Sequence, residues 1–111
     1  RYIMRWELHT SGVSISEELR ELIDRRMTFA LSRFGSRLQK ATVTLTDTNG
    51  PKGGIDKSCR ILVRMRGLGE IVADVVDSEW EVAVDRATTR IGHSVSRSLE
   101  RRRDVSHVVI D

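Results

Sequence analysis

Cysteine is almost missing from this chain of 111 residues: there is one, Cys59. A single thiol excludes an internal disulfide and any zinc site built on several cysteines. It fits a reducing, cytoplasmic setting. Proline is as scarce, with one residue, and no stretch is of low complexity, so a disordered chain is not the expectation. The apolar runs are a few residues long, far short of a membrane span. The opening "RYIMRWELHT" lacks the apolar segment of a secretory signal. Met4 is a candidate natural start, with Arg1 to Ile3 preceding it.

Hydrophobic residues make up 39% of the chain and charged residues 32%, enough for a packed core in one compact domain. Residues 4–103 are expected to form that domain and 104–111 a loose C-terminal tail. Net charge is +3 and the pI about 9.6, but the charges are unevenly placed. Residues 70–85 carry Glu70, Asp74, Asp77, Glu79, Glu81 and Asp85 and no Lys or Arg. Residues 86–103 carry Arg86, Arg90, Arg97, Arg101, Arg102 and Arg103 against Glu100 alone. Such separation points to a face that binds a polyanion.

Hydrophobic periodicity predicts the elements. Met4, Trp6 and Leu8 alternate with Arg5, Glu7 and His9, a short strand. Ser16 is a helix N-cap, followed by Glu17 and Glu18 in the first turn. Leu19, Ile23, Met27, Ala30, Leu31 and Phe34 then share one side, and Gly35 ends the helix. "ATVTLT" (41–46) is a strand with Ala41, Val43 and Leu45 on one face and threonines on the other. "DTNGPKGGID" is a loop. "SCRILVRMR" turns Cys59, Ile61, Val63 and Met65 inward and Arg60, Arg64 and Arg66 outward. "GLG" makes a hairpin with "EIVADVVD". Ser78 then caps a long helix that buries Trp80, Ala83, Val84, Ala87, Ile91 and Val95. The order β-α-β-β-β-α predicts an α+β two-layer sandwich: a four-stranded mixed sheet with both helices on one face.

The arginines of the last helix point one way. At 100° per residue, Arg86 lies about 40°, Arg97 about 20° and His93 about 60° to one side of Arg90, and Arg101 about 20° to the other. This stripe flanks the buried side, whose centre is about 80° away. A solvated face with salt bridges is the ordinary reading of a charge run. Here Glu100 is the one acid in the segment, so few i,i+4 partners exist. Arg26 and Arg33 share a flank of the first helix, and the two helices are expected to present both flanks to one groove. Arginine rather than lysine suits bidentate contact with phosphate.

The element order, "VSISEELRELIDRRM" near the start, and the spaced ending Ala83, Asp85, Arg86, Ala87, Arg90, Ile91, Val95, Arg97, Leu99 and Arg101 to Arg103 resemble the ribosome hibernation-promoting factor family. That family is also called ribosome-associated inhibitor A or sigma-54 modulation protein. The resemblance, to short-form members, covers residues 4–103. It implies a fold like the double-stranded RNA-binding domain with an extra strand. It also implies binding in the decoding cleft of the small ribosomal subunit, against 16S ribosomal RNA, where the domain excludes tRNA and mRNA. Arg26, Arg33, Arg86, Arg90, Arg97 and Arg101 match the family's basic helical positions, and His93 falls where a basic residue is common. The acidic first helix and Gly92 in the second depart from the pattern. Two other readings stay open: a protein-interaction module modulating a transcription or stress factor, and a generic double-stranded RNA binder.

Other motifs read as structural. "GPKG" (50–53) matches the GXXG of KH domains, but it joins two strands where that motif joins two helices. Lys52 and Lys57 are possible additional RNA contacts from this loop. Cys59 is expected to be a buried, inert thiol. Asp74 and Asp77 read as exposed strand ends, and Trp6 and Trp80 as core packing. No catalytic or metal-binding constellation is apparent, so no enzyme activity, cofactor, small-molecule substrate or membrane partner is expected.

Overall fold

The structure is a computed structural model; it describes residues 5–48 and 55–109, with 103–109 as backbone alone. The chain runs β1 (Glu7–Ser11), α1 (Glu17–Leu31), a short 3-10 stretch (Ser32–Arg37), β2 (Leu38–Asp47), β3 (Lys57–Met65), β4 (Gly69–Asp77) and α2 (Trp80–Val109). The sheet order is β1-β2-β3-β4. β1 is parallel to β2, and the other two pairings are antiparallel. This is the mixed sheet and the β-α-β-β-β-α order expected.

Alternation makes the sheet two-faced. Ala41, Val43, Leu45, Cys59, Ile61, Val63, Met65, Ala73 and Val75 are buried on the helix side. Leu19, Ile23, Met27 and Leu31 of α1 and Ala83, Val84, Ala87, Ile91 and Val95 of α2 close over them. Each large apolar side chain so buried contributes about 1.5–3 kcal/mol, which is what holds the helices down. The Ser16 hydroxyl accepts from the Leu19 amide at 3.1 Å, capping α1 as expected. Gly35 does not end α1 directly. The helix stops at Leu31, and Gly35, at φ 57°, kinks the 3-10 stretch that follows. Trp6 and Trp80 pack, partly buried, against the core.

Four further details differ from the expectations above. β1 lies at Glu7–Ser11, because its register is set by pairing with Glu7 opposite Thr42 and Ser11 opposite Thr46. β2 begins three residues before Ala41: a register shift between Leu38 and Lys40 turns Leu38 inward, although its odd spacing from Ala41 breaks the alternation. Ser78 makes no hydrogen bond to the first turn of α2 among the described residues; Asp77 instead holds the turn that leads into the helix. The Asp77 carboxylate accepts from the Ser78 amide at 2.7 Å and the Glu79 amide at 3.4 Å. Finally, α2 runs on to Val109, so 104–109 continue the helix where a loose tail was expected.

The two helices touch through Gly92. A Cβ there would lie 3.3 Å from the Ala30 carbonyl oxygen and 3.5 Å from the Ala30 Cβ. Gly92 therefore lets α1 and α2 approach backbone to backbone, which gives a packing reason for a helix-weakening residue in mid-helix.

Candidate nucleic-acid interface

The outer flank of α2 follows from its buried stripe. With Ala83, Ala87, Ile91 and Val95 on the sheet, Arg86, Arg90, His93, Arg97 and Arg101 are exposed along the side above β4. They are not equally free. Arg86 Nη1 donates to the Asp77 carboxylate at 3.1 Å and reaches the Val76 carbonyl at 3.5 Å. Arg90 Nη1 donates to the Asp74 carbonyl at 3.1 Å. Beyond the stripe, Arg102 donates to the Gly67 carbonyl in the β3–β4 turn. These three side chains satisfy carbonyls on β4's unpaired edge and in its adjoining turn, where an open strand would invite pairing. Among the described residues Arg101 reaches only its own helix, donating to Ser98 Oγ at 3.2 Å. Arg97 and His93 have no hydrogen-bond or ion-pair partner among the described residues.

Arg26 and Arg33 stand on the other side of α2, in the seam between the helices. Arg26 pairs with Asp85 at 3.4 Å, and Arg33 Nη2 donates to Ser96 Oγ at 2.8 Å while its guanidinium lies 4.9 Å from the Phe34 ring. The two arginine sets therefore do not line one groove. They border the outward surface of the helical layer, with the exposed ridge of Val82, Thr89 and Glu100 between them. The Arg26–Asp85 pair is about half exposed at both ends. Such pairs are worth about 0.2–1 kcal/mol, so a phosphate could replace the carboxylate at small cost.

Glu70 and Asp74, among the acids of residues 70–85, take up the two arginines of β3. Across the β3–β4 register, Arg60 stands opposite Asp74 and Arg64 opposite Glu70, and the side chains meet at 3.3 and 2.6 Å. Asp74 is thus a mid-strand partner on the sheet's outer face, not a strand end. Asp77 is held below the usual carboxylate range, first by the Ser78 amide and further by Arg86.

The loop lysines divide. Lys52 and the GPKG segment lie outside the described residues. Lys57 is turned inward: its side chain is 17% exposed, its ammonium lies 2.8 Å from Asp47 and 3.4 Å from Asp56, and it sits 6.0 Å from the centre of the Trp80 ring. The hydrogen bond to Asp47 holds its pKa above the ordinary lysine value. Lys57 is therefore already held by two carboxylates and is not a free cation of this loop.

Cys59 is buried, and desolvation, with Asp74's charge, pushes its thiol up to about 12. Among the described residues no group of three or more His, Cys, Asp or Glu could hold a metal ion, and no helix is long and apolar enough to cross a membrane. Arg25 joins the exposed cations without having been singled out from the sequence. It stands on α1 without a hydrogen-bond or ion-pair partner among the described residues, and its place on the outward face was legible from the helical period.

Comparison with known proteins gives a consistent picture. The model of the family described as "Sigma 54 modulation protein / S30EA ribosomal protein" matches residues 7–103. No curated protein matches by sequence. Among solved structures, the chain is similar to the N-terminal domain of Protein Y from Thermus thermophilus, with a TM-score of 0.67 and 21% identity over 83% of this chain and 94% of that one. It is also similar to a ribosomal subunit interface protein from Coxiella burnetii, with a TM-score of 0.69 and 18% identity over 85% of this chain and 96% of that one. At these identities the two structures speak for the fold alone.

Proposed function

Because the chain belongs to the sigma-54 modulation protein / S30EA ribosomal protein family, we propose that it is a ribosome hibernation factor. It binds the decoding cleft of the small subunit through the outer surface of its helical layer, and its body excludes tRNA and mRNA. The observation that carries this reading is the unneutralised end of the α2 stripe. Arg97 and His93 are exposed without partners among the described residues, and Arg101 is held only by a serine. Phosphates of 16S ribosomal RNA would supply the missing anions, and guanidinium forks suit them. Arg86, Arg90, Arg26 and Arg33 serve as a second tier, each exchanging an exposed protein partner for phosphate.

Such binding is electrostatic, so it weakens as salt rises. The deciding experiment is co-sedimentation of the tagged chain with separated ribosomal subunits across a salt series. Retention with the small subunit, falling steeply with salt, is the expected result. Retention with neither subunit, or equally with both and with any RNA duplex, would remove the ribosome-specific reading and favour a generic duplex binder.

A further inference from the structure

We infer that Phe29 is a stacking platform for an unpaired nucleobase of the bound RNA; this rests on the RNA-binding reading above and adds a second kind of contact to it. Phe29 is 85% exposed. The helical period turns it outward, since Met27 and Leu31, two residues to either side, take the buried positions. A lone exposed aromatic needs no explanation, but this one is not alone. Phe29 lines a hollow of about 340 Å³ with Leu22, Arg25 and Arg26. Arg25 precedes it by one helical turn and Arg33 follows it by one. Between Asp24 and Asp47 the sequence holds Arg25, Arg26, Arg33 and Arg37 and no acid. The acids of α1, Glu17, Glu18, Glu21 and Asp24, are confined to its first half, and Asp24 accepts a 2.7 Å hydrogen bond from Trp6 Nε1.

An aromatic face flanked by two guanidiniums, one of them held only by an exposed carboxylate, fits one chemistry closely. A base splayed out of a strand offers a π-face to the ring while its own phosphates meet Arg25 and Arg26. A duplex cannot use the ring, because its bases are stacked inside. A second copy of this chain would bring the same guanidiniums against these, like charge on like. An apolar peptide would cover the ring but would leave Arg25 without an anion, since Arg26 alone has Asp85.

The test measures affinity of Phe29→Ala, Phe29→Leu and Phe29→Tyr for purified small subunits, for a ten-nucleotide unpaired RNA and for a duplex of the same length. Alanine and leucine are expected to weaken binding to subunits and to unpaired RNA by about tenfold. Tyrosine should restore it, and duplex binding should stay unchanged. Thermal midpoints should also be unchanged, as the ring is exposed. Wild-type affinity in Phe29→Ala overturns the proposal. Wild-type affinity in Phe29→Leu does so too, since the contact would then be apolar without stacking, as a protein partner would make it. If the wild-type chain ignores subunits, the ribosome reading fails, while the unpaired RNA still decides on Phe29; no binding of that RNA overturns the stacking proposal.

Discussion

The sheet's outer face and the helical layer both carry arginines, and they are opposite in availability. On the sheet, Arg60 and Arg64 each face an acid directly across the β3–β4 register. On α2, the arginines beyond Arg90 have outrun the sheet's acids, and the free end of the stripe is left with Glu100 as the one acid in its segment. The number of charges on a face says little about binding; what matters is whether the fold has already supplied the counter-charge. The stripe itself repeats the lesson. Its first half, Arg86 and Arg90, is occupied with β4, and its second half is not.

The sharpest break of this comparison is Arg97→Glu with Arg101→Glu. Removing two charge-assisted hydrogen bonds to phosphate should weaken small-subunit binding by about a hundredfold. The log-affinity against log-salt slope should fall in magnitude by roughly two, by analogy with duplex DNA. Circular dichroism should be unchanged, since neither side chain supports the core. Next in size is Gly92→Leu, which forces a side chain into the Ala30 backbone. Overpacking there should cost about 1–3 kcal/mol in urea unfolding and, by spreading the helices, weaken binding as well.

Arg60→Glu with Arg64→Glu makes the same charge change on the sheet and should alter subunit binding by less than about threefold once salt is raised above physiological strength. If this pair matters as much as the helical pair, net charge alone governs binding. If it alone matters, a partner docks on the sheet and the interaction-module reading takes over. The smallest effects are on pH dependence. Asp77's lowered pKa means its contribution to stability is complete above the ordinary aspartate value, and it is lost as pH falls through the lower folded value. The Cys59 thiol is raised, so the stability linked to it is complete below about 9 and drains away as pH rises toward about 12. Denaturant midpoints across pH check both. Ellman's reagent should label Cys59 slowly at pH 8 unless the chain is unfolded.

Much of this was legible without coordinates. Strict alternation at Cys59, Ile61, Val63 and Met65 has one solution, since successive strand residues face opposite ways. The i,i+4 run Leu19, Ile23, Met27 and Leu31 likewise has one. The arginine stripe on α2 is a consequence of the same period and needed no partner to be seen. Where a residue's role depends on a distant segment, local reading failed. Leu38 breaks the alternation that a bulge restores, and the carboxylate of Asp77, not Ser78, holds the turn between β4 and α2.

The sequence by itself determined the element order, the inward face of each element and the direction of the arginines, because those depend on backbone periods that act over a few residues. Only the tertiary structure decided which arginines have a counter-charge. Arg60 meets Asp74 through strand register, Arg26 meets Asp85 across a seam that Gly92 makes narrow, and Lys57 is drawn in between Asp47 and Asp56. Ion pairing acts over a few ångströms between groups that can be far apart along the chain, so it exists only once the fold has brought them together.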